Sequence, residues 1–138
     1  MILIDTSAII AVLCKEDQYH TQAAKIWIDL LDKNERILCN NYILLETTAL
    51  IQRRHGLDII RAFYNDMVPI LQVEWLDHDQ HTQSVEALLR YDRRRLSLVD
   101  LTAFATMRRL GIRKAFTFDK HFAEQGFDVI PEGREVVN

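Results

Sequence analysis

The stretch Met1–Ile10, MILIDTSAII, decides how the chain is read. Met1 to Ile4 are apolar, Asp5 follows, and after Thr6 and Ser7 the chain is apolar again from Ala8 to Leu13. Ile2–Ile4 reads as a fully buried strand of a parallel sheet, and Thr6 or Ser7 can cap the helix that follows. Aspartate is depleted in strands and is rarely buried without a partner. A carboxylate between two such runs needs a reason.

Downstream, short apolar runs continue to alternate with helical patterns. A helix is expected over Tyr19–Lys33, with Ala23, Trp27, Leu30 and Leu31 on one face. RILC (36–39) reads as the second strand. Asn40 or Asn41 then caps a helix over Tyr42–His55, with Gly56 suited to the position just past its end. Leu57–Val68 carries Ile60, Phe63, Tyr64 and Met67 at helical spacing. QVEWL (72–76) is a third strand, alternating enough to be partly exposed. Val85, Leu88 and Leu89 mark another helix, and Ser97 precedes one that runs through Leu110 and ends at Gly111. AFTF (115–118) and FDVI (127–130) are the fourth and fifth strands, with a short helix at Lys120–Gln125 between them. Strands alternating with helices predict an α/β fold with a mainly parallel five-stranded sheet. No repeat, low-complexity stretch or linker divides the chain, so residues 1–138 are expected to form a single domain, with EGREVVN at the end free to fray.

Composition narrows the class. At 138 residues the chain is long enough to bury a real core, and its 49% apolar and 27% charged residues are ordinary for a globular protein. No apolar run can span a bilayer, and Met1 is followed by neither a basic region nor a cleavage site of signal-peptide type. Cys14 and Cys39 sit among apolar neighbours without metal-type spacing, as reduced core residues of a cytoplasmic protein do. A net charge of −3 does not advertise a nucleic-acid binder, so any contact with RNA or DNA must be local.

The acids supply the reason for Asp5. In open α/β sheets ligands bind beyond the carboxyl ends of the strands. Asp5 follows strand one and Asp119, in FTFDKHF, follows strand four. Asp100 lies in the first turn of the helix after Ser97, where a right-handed crossover can bring it to the exit of strand four. Glu46 interrupts the largely apolar ILLETTAL and should point inward from its helix. Each has a plainer reading. Asp5 and Asp119 can cap the helices after them, Ser97-x-x-Asp100 approximates a capping box, and Glu46 can be a solvated helix residue. Taken together the plain readings do worse, because carboxylates clustered in a partly desolvated site repel and raise one another's pKa. A divalent cation removes that cost, and an all-oxygen ligand set selects a hard ion such as Mg²⁺ or Mn²⁺. Such an ion can generate a hydroxide nucleophile from water and offset charge on a phosphoryl group, and a second ion about 3.5–4 Å away can hold the leaving oxygen. Phosphodiester hydrolysis then needs no nucleophilic side chain. The sequence has no G-x-S-x-G elbow, Walker glycine pattern or H-E-x-x-H.

LIDTSAII, the glutamate of YILLETTAL, LSLVDLTAFATM and FTFDKHF, in this order and spacing over the whole chain, resemble a PIN domain, and most closely the small VapC-type toxins of prokaryotic toxin–antitoxin pairs. The resemblance implies an α/β/α sandwich and an Mg²⁺- or Mn²⁺-dependent endoribonuclease holding one or two ions. It implies that Asp5 and Asp100 are the persistent metal-ligating acids, that Glu46 is the acid on the helix after strand two, and that Asp119 is the fourth, in a T-x-D pattern with Thr117. Ser7 matches the family's small polar residue two positions after the first aspartate. The implied partners are an RNA substrate, a small antitoxin whose C-terminal segment lies over the acidic cleft, and a second copy of the chain as a homodimer.

Other features carry less. Arg93, Arg94 and Arg95 in YDRRRLS stand just before Ser97 and are candidate phosphate contacts, with Lys15, Arg53, Arg54 and Lys120 as weaker versions of the same idea. His78 and His81 have ligand-like spacing but suit a helix N-terminus, and Trp27 and Trp75 suit a core or a dimer interface. A receiver-like phosphoacceptor domain needs an early pair of acids, and a haloacid-dehalogenase-like phosphatase needs D-x-D where this chain has D-T-S. A non-enzymatic PIN-like binding module remains the alternative. It would be free to lose one of the acids, and none is missing.

Overall fold

The computed structural model describes residues 1–91 and 95–132. Five short strands, β1 (Ile2–Ile4), β2 (Ile37–Asn40), β3 (Gln72–Glu74), β4 (Lys114–Phe116) and β5 (Asp128–Ile130), form one sheet in the order β3-β2-β1-β4-β5. All neighbouring pairs are parallel, with Ile2 opposite both Ile37 and Lys114, and Ile4 opposite Phe116. The architecture is the expected α/β/α sandwich. The helices are α1 (Thr6–Leu13), α2 (His20–Asp32), α3 (Asn41–Arg54), α4 (Leu57–Ala62), α5 (His78–Tyr91), α6 (Leu98–Leu110) and α7 (His121–Glu124). The chain builds outward from β1 through β2 to β3, then crosses back to place β4 on the other side of β1. That reversal makes a topological switch point between β1 and β4, where a crevice opens at the carboxyl ends of the strands.

Central strands of a parallel sheet are covered on both faces, which is why Ile2, Leu3, Ile4, Ile37, Leu38 and Cys39 are all buried. Phe63, Phe104, Phe116 and Phe122 complete the core, and Cys14 and Cys39 are buried free thiols as expected. Several boundaries differ from the sequence reading for local reasons. Asp5, rather than Thr6 or Ser7, caps α1, because its extended backbone lets Oδ1 accept the Ala8 amide. β2 runs one residue later than RILC, and Asn40 caps α3 from the strand's last position. The Leu57–Val68 helix is not uniform: α4 passes into a π-helical turn at Phe63–Met67 and a 3₁₀ turn at Val68–Ile70 that contains Pro69. α6 begins and ends where the sequence places it, with Gly111 left-handed at φ 69°.

Candidate functional site

Asp5 stands one residue past β1 at the switch point and is 7% exposed. Its amide donates to Phe116 O at 3.2 Å, so the exits of β1 and β4 are stitched together. Ser7 Oγ donates to Asp5 Oδ1 at 2.7 Å and Thr117 Oγ1 donates to Oδ2 at 2.7 Å. With the Ala8 amide on Oδ1, three of the roughly four lone-pair sites of a carboxylate are filled, and the one left lies on Oδ2. Ser7 Oγ in turn accepts the Phe118 amide at 2.9 Å, and Thr117 Oγ1 accepts the Asp119 amide at 2.9 Å. Two hydroxyls thus fix both the first acid and the loop that carries the last one.

The other acids arrive from separate elements. β4 ends at Phe116, earlier than AFTF suggests, so Asp119 sits in the loop beyond it. There Oδ1 accepts the His121 amide at 2.9 Å, one residue after Lys120, which rather than Asp119 occupies the N-cap of α7. Asp100 closes a true capping box: Oδ2 accepts the Ser97 amide at 3.0 Å while Ser97 Oγ accepts the Asp100 amide. Glu46 is half-buried on α3 and lies near Thr6, whose hydroxyl works against the effect of burial on its carboxyl. The plain capping readings of Asp5 and Asp100 are therefore realised, and both residues also line the pocket.

All four acids line one open pocket of about 360 Å³. Its walls include Ile43 and Leu50 from α3, Val99 and Ala103 from α6, and the rings of Tyr19 and Phe118, stacked at 4.6 Å and 7°. Asp17 is a fifth acid in the wall, and Arg54 is the single cation among the described lining residues. Burial pushes the Asp5 carboxyl up to about 7, against its three hydrogen bonds and with a contribution from the Asp119 charge. Burial also raises Glu46 and Asp100, and the Asp119 charge adds to both. Desolvation leads in all three, and the neighbouring carboxylate charges add to it. Among the described residues no group of three or more acids, histidines or cysteines forms a ready ligand cage. The donors that line the pocket are carboxylate and hydroxyl oxygens, the kind a hard divalent cation takes.

Arg93 and Arg94 lie outside the described residues, and Arg95 is exposed two residues before Ser97. Lys15, Arg53 and Lys120 are exposed and do not line the pocket, whereas Arg54 does. His78 and His81 are on the first turn of α5, as expected, and His81 Nδ1 meets the Tyr42 hydroxyl. Trp27 is half-buried, but Trp75 is 70% exposed and does not belong to the core. Asp17 and Tyr19 carried no sequence signal. They are in the loop between α1 and α2, and only the return of that loop past the end of β1 brings them to the site.

The PIN domain family matches residues 2–128. The 23S rRNA-specific endonuclease VapC20 of Mycobacterium tuberculosis is 36% identical over 134 residues, spanning 96% of this chain and 100% of the relative, in both of two strains. The crystal structure of M. tuberculosis VapC20, a Sarcin-Ricin loop cleaving toxin, aligns with TM-score 0.80 and 34% identity over 92% of this chain and 96% of its own. FitAcB from Neisseria gonorrhoeae aligns with TM-score 0.67 at 14% identity over 94% of this chain and 96% of its own. VapBC2 from Rickettsia felis, bound to a DNA fragment from their promoter, aligns with TM-score 0.65 at 12% identity over 94% and 97%. At those last two identities the likeness is one of fold.

Proposed function

This chain belongs to the PIN-domain family, and from that premise we propose that it is a VapC-type toxin, an endoribonuclease that hydrolyses RNA phosphodiester bonds with one or two Mg²⁺ or Mn²⁺ ions. The observation that carries the reading is the convergence of Asp5, Glu46, Asp100 and Asp119, from four different elements, on one pocket at the switch point of the sheet. Asp5 and Asp100 are the principal ligands in this proposal, and Glu46 and Asp119 complete the anionic floor. The metal, when bound, supplies a water of lowered pKa and charge stabilisation at the phosphoryl group. Ser7 and Thr117 hold Asp5 so that its remaining lone pair faces the crevice, and Ser97 does the same for Asp100 through the capping box. Arg93, Arg94 and Arg95 remain proposed backbone contacts for RNA at the approach to α6.

The proposed partners follow from the same site. An open anionic pocket suits a small antitoxin whose basic segment lies over it, with an arginine pairing bidentately with the carboxylates in place of the metal. A homodimer is proposed for the apolar residues left at the surface, including Trp75 and Leu89. No described helix is long and apolar enough to cross a membrane, and the buried free thiols suit the reducing cytoplasm. The whole chain is proposed to act as one domain.

The test is cleavage of a structured RNA, with 23S rRNA as the first substrate because the similar VapC20 acts on it, in Mn²⁺ and in EDTA. Cleavage is expected in Mn²⁺ only. Asp5→Asn and Asp100→Asn should each reduce it by orders of magnitude while the protein stays folded. Near-normal turnover by either purified variant would overturn the acid-cluster mechanism.

A further inference from the structure

We propose that Arg54 is a phosphate clamp at the mouth of the acid pocket, gripping the RNA backbone at a phosphate flanking the one that is cleaved. The proposal rests on the nuclease reading and adds a specific binding contact to it. Ile43, Glu46, Leu50 and Arg54 all line the pocket, and their spacing of three, four and four residues places them on a single stripe of α3. Glu46 and Arg54 are eight residues apart, or about 12 Å along the helix axis. The carboxylate therefore belongs to the floor and the guanidinium to the rim. Helical side chains lean toward the N-terminus, so from the last turn of α3 the long arginine side chain is directed back along the stripe, over the pocket.

Among the described residues nothing neutralises the charge on Arg54. Lys33 pairs with Asp29 at 2.9 Å and Arg61 with Asp58 at 2.7 Å, but no ion pair or side-chain hydrogen bond joins Arg54 to any described residue. Five carboxylates line the same pocket, yet the guanidinium is not the counter-ion of any of them. A cavity with an anionic floor and, among the described residues, one unpaired cation at its rim matches a ligand whose own charges alternate: a cation against the floor and an anion against the rim. A metal-bound phosphodiester strand has that pattern. The planar guanidinium suits the task, because its fork can donate to two non-bridging oxygens of one phosphate at once.

Because the clamp acts on a flanking phosphate, it contributes to binding rather than to the bond-breaking step. Arg54→Gln should raise KM for RNA cleavage about tenfold with kcat within about threefold, and Arg54→Lys should fall between it and wild type. A readout independent of turnover is the salt dependence of binding to a fluorescein-labelled stem–loop RNA, measured by anisotropy in an Asp5→Asn background with Mn²⁺. Losing one phosphate contact should weaken binding and reduce the log–log salt slope by about 1. Arg53→Gln is the control: it removes a cation from the same helix turn, outside the pocket, and should leave both KM and slope unchanged. Wild-type binding and slope in Arg54→Gln, or an equal effect from Arg53→Gln, would overturn the clamp. If instead Asp5→Asn still cleaves the RNA, the acid-cluster reading fails, and the same anisotropy comparison in EDTA still decides Arg54.

Discussion

Asp5 is held at a cost that pH exposes. Folded, its carboxyl keeps a proton up to about pH 7, against a reference of 3.8 for the unfolded chain. Between those values the folded state binds more protons, so this group's contribution to stability is fully present below pH 3.8 and is lost as pH rises to about 7. Glu46 and Asp100 are raised too and act with the same sign. In EDTA, thermal unfolding of wild type should therefore lose up to about 1.4 kcal/mol per pH unit across this range from Asp5 alone, and Asp5→Asn should flatten the profile. A metal competes with those protons, so Mn²⁺ should restore stability increasingly toward pH 8. A wild-type profile unchanged in the Asp5→Asn protein would show that Asp5 is already ionised. Asp100 gives a sharper contrast because it is also a cap. Asparagine can keep the bond to the Ser97 amide but cannot ligate a metal strongly. Asp100→Asn should raise the melting temperature of the metal-free protein by a few degrees and should gain much less from millimolar Mn²⁺ than wild type. Identical melting curves in both conditions would leave Asp100 as a cap alone.

At the scale of elements, Asn40 joins the parts that carry the acids. It is fully buried at the end of β2, with Oδ1 accepting the Ile43 amide at 2.9 Å and Nδ2 donating to Thr102 and Thr106 on α6 at 3.3 Å each. One side chain thus caps the helix bearing Glu46 and braces the helix bearing Asp100. A serine or threonine there could cap α3 but could not reach α6 as well. Asn40→Ala should destabilise the protein by about 2–3 kcal/mol, lowering the melting temperature by roughly 5–15 °C. Asn40→Ser should recover the cap's share, about 1 kcal/mol, and no more. If calorimetry finds alanine and serine equivalent, the brace and not the cap is what matters.

At the scale of the molecule, Leu45, Trp75 and Leu89 are 70%, 70% and 74% exposed on α3, after β3 and on α5. The starts of α3 and α5 are tied together, since Asn41 Oδ1 accepts the Leu76 amide at 2.8 Å and Tyr42 meets His81. Large apolar side chains left outside a domain of this size are what the proposed homodimer would bury. Light scattering at micromolar concentration should return twice the 16.2 kDa chain mass, and Trp75→Asp with Leu89→Asp should return the monomer. A wild-type monomer would contradict the dimer.

Periodicity and punctuation determined the elements. Ser97, Asp100, Leu110 and Gly111 delimit α6 because caps and left-handed glycines are local chemistry, and local chemistry is written in adjacent residues. The alternation of apolar runs likewise pointed to a parallel sheet, and the four acids stood out because each follows or interrupts an apolar run. Partners are another matter. Leu89 fits a helical stripe with Val85 and Leu88 yet points to solvent, since a stripe is wider than the neighbour that covers it. Arg53 and Arg54 are indistinguishable in sequence, but a 100° step around the helix puts only Arg54 in the pocket. Asp17 and Tyr19 come to line the pocket only because the α1–α2 loop returns past β1. The sequence by itself determined which residues could do chemistry. The tertiary structure decided which of them meet, because meeting depends on crossover geometry and helix rotation that no local spacing encodes.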